Sequence, residues 1–156
     1  MKTLKTESMV VTSPVGNLKI TAEEGFLTKV EFVTAPESTS ENTLLQKAAA
    51  QMEEYFRGNR EKFDLPIKTK GTPFQESVWE ALKDIPYGST CSYKQIAEKI
   101  NNPKAVRAIG QANKSNSLPI IIPCHRVIGK NQSLTGYAGS QVDKKEILLK
   151  VEKAVQ

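Results

Sequence analysis

At 156 residues the chain is long enough to form one ordinary domain or two small ones without disulfide or metal staples. Hydrophobic residues make up 38% and charged residues 25%, a globular composition, and no apolar run approaches the roughly 18 residues a membrane span requires. The opening MKTLKTESMVV lacks the sustained apolar core and cleavage site of a secretory signal, so the expected location is the cytoplasm.

Cys91 and Cys124 are the only cysteines and His125 the only histidine. That is too few for a disulfide framework or a four-ligand zinc site of the usual Cys/His kind, so no structural metal is expected, and Cys124 reads as a free thiol. Net charge is +5 but uneven: residues 1–89 hold 11 basic and 13 acidic groups, residues 90–156 hold 11 and 4. The basic half suits either a polyanion bound through its phosphates or a solvated lysine-rich surface.

In chain order, SMVVTSPVGNLKITAEEGFLTKVEFV reads as three short strands of an antiparallel meander, with turns at Ser13–Gly16 and Glu23–Gly25. Leu45, Ala48, Met52 and Tyr55 recur at helical spacing until Gly58. The aperiodic DLPIKTKGTP then places a domain boundary near residue 70, dividing the chain into 1–70 and 71–156. Thr72-Pro73-Phe74-Gln75 carries the signature of a capped helix start, and Phe74, Val78, Ala81, Leu82 and Ile85 line one face of that helix. Ser92 caps a short helix through Lys99, Asn101-Asn102-Pro103 turns the chain, and Ala105 to Lys114 forms another helix.

Two short helices about a tight turn fit a helix-turn-helix or an ordinary helical hairpin. In the former, Arg107, Asn113 and Lys114 would face nucleic acid, with Lys104 and Lys114 flanking the second helix. Asn116-Ser117-Leu118-Pro119 then leads into an expected strand, Ile120 to Ile122, and Cys124 emerges past its end. Thiolate is the reactive form of cysteine, and a neighbouring imidazole or guanidinium favours it, which gives His125 and Arg126 a chemical use. Adjacent side chains on an ideal strand point apart, so cooperation between Cys124 and His125 needs irregular backbone or a bridging water. The alternative is a buried cysteine acting as a small hydrophobe.

The motif PCHRVIG, preceded by VRAIGQANKSNSLPIII and followed by LTGYAGS, resembles the O6-alkylguanine-DNA alkyltransferase family. IPYGSTCSYKQIAEKI and NNPKAVRAIG extend the likeness back to about Thr72. The resemblance implies an α/β (α+β) protein, with an N-terminal ribonuclease-H-like sheet-and-helix domain and a C-terminal winged helix-turn-helix. It also implies irreversible, single-turnover transfer of an alkyl group from O6-methylguanine, with O4-methylthymine as a second substrate, to Cys124. No cofactor takes part. Glu152 would orient His125, which takes the thiol proton through a water, and Asn116 would brace the turn before the cysteine. Tyr93 would rotate the target phosphate and Arg107 would fill the vacated base stack. Val127, Tyr137 and Ala138 would contribute to the pocket for the flipped base. The implied partner is double-stranded DNA carrying alkylated guanine, met by a monomer away from membranes. Two other readings use the same helices: a lesion-binding protein without transfer chemistry, and a sequence-specific regulator.

Overall fold

The computed structural model describes residues 5–129 and 142–153, with side chains of the second stretch from 144 onward. Backbone contacts divide the chain into two units, Met1–Thr69 and Lys70–Gln156.

In the first unit, β1 (Thr6–Val11), β2 (Asn17–Glu23) and β3 (Phe26–Val33) form an antiparallel sheet in the order β1-β2-β3. The two-residue period of a strand puts Leu18, Ile20 and Ala22 on one buried face of β2. Glu24 and Gly25 both take positive φ, 48° and 85°, the backbone of a primed hairpin turn whose twist matches that of the flanking strands. Helix α1 (Thr43–Phe56) starts where the Asn42 side chain accepts the Leu45 amide at 3.1 Å. It buries Leu45, Ala48, Met52 and Tyr55 against the sheet. Gln51 lies on the same buried face, and its amide is satisfied twice, donating to the Asp64 carbonyl at 3.1 Å and accepting the Asp64 amide at 2.8 Å. The stretch beyond is ordered along β3, with Leu27 N donating to Pro66 O and Lys68 N to Leu27 O, both at 2.9 Å.

The second unit opens with α2 (Pro73–Lys83) and a reciprocal capping box. Gln75 N donates to Thr72 Oγ1 at 3.1 Å, while Thr72 N donates to Gln75 Oε1 at 2.9 Å. Trp79 is buried on α2, and a β-carbon at Gly71 would come within 2.6 Å of its ring, so the indole requires glycine there. A two-residue strand β4 (Cys91–Ser92) leads into α3 (Tyr93–Lys99), which repeats the capping box with Ser92 and Gln95. The turn through Asn101, φ 59°, uses a residue that tolerates left-handed backbone and delivers α4 (Val106–Lys114). Helices α2, α3 and α4 pack on one another, and Trp79 Nε1 donates to the Ala112 carbonyl of α4 at 2.9 Å. Strand β5 (Val127–Ile128) pairs in parallel with β4, Cys91 opposite Val127 and Ser92 opposite Ile128. Helix α5 (Val142–Val151) follows.

Candidate active site

The expected strand at Ile120–Ile122 does not form. Pro119 and Pro123 lack the amide hydrogens a ladder requires, and the segment folds on itself instead. Ile122 N reaches back to Leu118 O at 2.9 Å, and Ile120 is held at φ 77°. That region is strained for a β-branched residue, at a cost of order 1–3 kcal/mol that the surrounding packing must offset. Asn116 supports the loop from both ends: its Oδ1 accepts Leu118 N at 2.9 Å and its Nδ2 donates to Ile122 O at 2.9 Å. Pro123 then takes φ −79° and ψ 63°, and Cys124 N donates to Ile122 O at 2.7 Å, the geometry of an inverse γ-turn. Residues Cys124–Arg126 form a single turn of 3-10 helix running into β5.

This irregular backbone buries three adjacent side chains, Cys124, His125 and Arg126, which a strand would have divided between two faces. His125, 0% exposed, meets Glu152, 2% exposed, with Nε2 to Oε2 at 2.6 Å. A carboxylate only accepts, so Nε2 carries the hydrogen and Nδ1 is the basic nitrogen. Arg126 donates through Nε to Glu152 Oε1 at 2.8 Å, through Nη2 to Oε2 at 3.0 Å and through Nη1 to the Ile85 carbonyl at 2.7 Å. Its guanidinium lies 5.7 Å from the Tyr87 ring centre. Glu152 continues the α5 ladder, its amide donating to Leu148 O at 3.1 Å, so the last helix delivers the carboxylate.

Burial dominates the protonation states. It pushes the Cys124 thiol up to about 11, opposed by the Asn116 side chain and the Lys145 charge. The resting sulfur at neutral pH is therefore a thiol. Burial also lowers His125 below the usual imidazole range, against the pull of Glu152, which keeps the ring neutral and able to accept a proton. Lys145, fully buried, is lowered to about 8 by burial, and Cys124 opposes that change. Lys145 lies seven residues before Glu152, two helical turns, so one face of α5 brings a cation toward Cys124 and an anion to His125.

Lys145 escaped the sequence reading because it sits in a run of lysines that looks like a solvated face. Its spacing of three and four to the buried Leu148 and Leu149 was the available signal.

Among the other expected site residues, Asn116 and Val127 are buried at the turn. Tyr93 is the first residue of α3 and half-buried; Arg107 and Lys114 are exposed on α4, and Lys104 is exposed just before it. Asn113 requires correction. It does not face outward but is 1% exposed, because position 113 falls four residues after Ile109 on the helix stripe that packs inward. Its Nδ2 donates to the Cys124 carbonyl at 3.3 Å. Tyr137 and Ala138 lie outside the described residues. Among the described residues no group of three or more His, Cys, Asp or Glu side chains is arranged to hold a metal.

Residues 73–154 match the family described as 6-O-methylguanine DNA methyltransferase, DNA binding domain, and residues 8–69 match its ribonuclease-like domain. A constitutive methylated-DNA--protein-cysteine methyltransferase of Bacillus subtilis is 50% identical over 151 residues, spanning 90% of this chain and 92% of that protein. The corresponding methyltransferase of Methanosarcina acetivorans is 48% identical over 147 residues, spanning 90% and 94%. The crystal structure of O6-methylguanine methyltransferase from Mycobacterium tuberculosis superposes with a TM-score of 0.85 at 37% identity, covering 96% of this chain and 94% of that one. OGT of the same organism in complex with DNA gives 0.84 at 39% identity, covering 94% and 92%.

Proposed function

The chain belongs to the 6-O-methylguanine DNA methyltransferase family, and we propose that it repairs DNA by moving the alkyl group of O6-methylguanine onto the sulfur of Cys124. The observation that carries this reading is the buried His125–Glu152 pair directly beside a free cysteine, on the turn that follows the helix-turn-helix.

The chemistry follows from the groups present. Glu152 fixes the His125 tautomer, and Nδ1 takes the thiol proton through one water. The resulting thiolate attacks the alkyl carbon in line; the S–C bond forms as the C–O6 bond breaks, the electron pair leaves with the base, and the proton completes a neutral guanine. A thioether has no route back to a thiol here, so each molecule acts once and without a cofactor. The Lys145 charge favours the thiolate electrostatically, and Asn116 holds the loop from which the sulfur is presented. O4-methylthymine, which offers an alkylated oxygen of the same kind, is a second substrate.

To reach its atom the protein takes the nucleotide out of the duplex. Tyr93 at the start of α3 crowds the phosphate, and Arg107 on the exposed face of α4 fills the vacated stack. Lys104 and Lys114 hold neighbouring phosphates. Val127 borders the pocket for the extruded base. The protein works as a monomer on double-stranded DNA carrying alkylated guanine, in the cytoplasm; no helix among the described residues is long and apolar enough to cross a membrane.

Intact and peptide mass spectrometry after incubation with a methylated duplex tests the reading. The Cys124 peptide should gain the mass of one methylene, while Cys124→Ser binds the same duplex and gains nothing. A gain on Cys91, or none, would overturn the assignment.

A further inference from the structure

Asn113 is buried on α4, and its amide is only half used: Nδ2 donates to the Cys124 carbonyl, while Oδ1 has no hydrogen-bond partner among the described residues. A buried acceptor left unsatisfied is destabilising, and an apolar side chain of similar volume would remove that cost while giving up one bond at the long limit of 3.3 Å. Folding alone therefore gives no reason for an amide at this position.

Its placement supplies one. The same helix presents Arg107 and Lys114 outward and Asn113 inward, so one rigid element carries both the surface read here as DNA-facing and a bond to the backbone of the nucleophile. The Cys124 carbonyl also accepts the Val127 amide, so the bond from Asn113 joins a turn already closed on its other side. Ala112 next to it is held by the Trp79 indole at 2.9 Å, which fixes the last turns of α4 on α2. Hydrogen bonds that position catalytic groups are often long before the substrate binds and tighten in the complex.

We propose that Asn113 is a positioning residue that ties Cys124 to the recognition helix, so that seating α4 on DNA sets the nucleophile for transfer. This rests on Cys124 being the alkyl acceptor, and it predicts a role specific to the duplex reaction. A free alkylated base, which does not seat α4, gains nothing from the link.

The test compares Asn113→Leu with the wild type in three measurements: transfer from a duplex containing O6-methylguanine, transfer from free O6-methylguanine base, and affinity for the unreactive duplex by fluorescence anisotropy. The expected result is a fall of ten-fold or more in the ratio of duplex to free-base rate constants, with duplex affinity within three-fold of wild type. An unchanged ratio would overturn the proposal, as would a loss of affinity large enough to account for the whole effect. If Asn113→Leu does not fold, Asn113→Gln, which keeps the donor one methylene farther out, is read on the same ratio and should fall between wild type and complete uncoupling; an unchanged ratio there would overturn the proposal equally. Failure of the wild type to label Cys124 would instead strike at the functional reading itself.

Discussion

Arg126 and Glu152 form a two-point contact in the interior, Nε to Oε1 at 2.8 Å and Nη2 to Oε2 at 3.0 Å, and the second oxygen is shared with His125. The carboxylate is thus held by a guanidinium and an imidazole at once. Arg126→Met should leave a buried charge without its main partner and cost about 3–5 kcal/mol of stability, read from urea denaturation midpoints. Adding Glu152→Gln to that variant should recover part of the loss, because the stranded charge is then gone.

His125 makes stability depend on pH in a definite direction. Burial lowers its folded-state pKa beneath the ordinary value of 6.5. Below that value the unfolded chain takes up a proton that the folded chain does not yet accept, so the unfolded state binds more protons and stability falls as pH drops. The slope from this one group can approach about 1.4 kcal/mol per pH unit. Urea midpoints measured between about pH 7 and pH 5 should decline in the wild type and decline less in His125→Asn.

Removing the Lys145 charge should make Cys124 a weaker acid. Asn116 from the preceding loop and Lys145 from α5 favour the thiolate against burial, and the His125–Glu152–Arg126 cluster follows the cysteine on the same turn. In a Cys91→Ser background, Lys145→Met should slow iodoacetamide labelling of Cys124 below about pH 8, where the wild-type lysine is charged, and the two pH profiles should converge above it, where the lysine is neutral. Below that pH the thiolate fraction, and with it the labelling rate, falls about ten-fold for each pH unit by which loss of the charge raises the thiol pKa. Lys145→Arg should hold the profile near its original place. Coincident profiles for Lys145→Met and wild type would remove the lysine from the chemistry.

Arg107 stands exposed on α4. If it fills a vacated base stack, Arg107→Ala should slow repair of duplex DNA far more than dealkylation of the free base, which leaves no vacancy behind. Stopped-flow rates on both substrates decide it, and equal losses would count against the role.

The basic excess beyond residue 89 should appear in the salt dependence of binding. Lys104→Ala and Lys114→Ala should each weaken affinity for undamaged duplex across sequences and flatten the plot of log affinity against log salt by about one unit of slope. Lys47, exposed on α1, is the control. A control variant that matters as much as the other two would remove the second unit from the DNA-contacting role.

Where local chemistry decides structure, the sequence was legible. The capping box at Thr72, the cap at Ser92 and the Glu24-Gly25 turn involve residues a few positions apart, and each appears as expected. The loop before Cys124 was not legible, because Ile120–Ile122 has the composition of a buried strand, while the flanking prolines deny it ladder amides and the segment folds back into a strained loop. Asn113 and Lys145 were obscured for a related reason. Both are polar residues on inward-facing helix positions, and polarity suggested surface where the packing partner, the Cys124–Arg126 turn, lies far away in sequence. The contact between His125 and Glu152 spans 27 residues, and it was the family motif rather than any local pattern that joined them.

The chain contains one tryptophan, and its indole rests over Gly71 while donating to the Ala112 carbonyl in α4. Emission from a buried indole responds to the loss of its hydrogen bond and to the entry of water, so a small displacement of α4 becomes an optical signal from a single known position. The molecule thereby carries its own unlabelled gauge. A fast change in emission on mixing with DNA, followed by a slower one at the rate of sulfur modification, would separate docking from chemistry in one trace, and Cys124→Ser would retain the first change and lose the second.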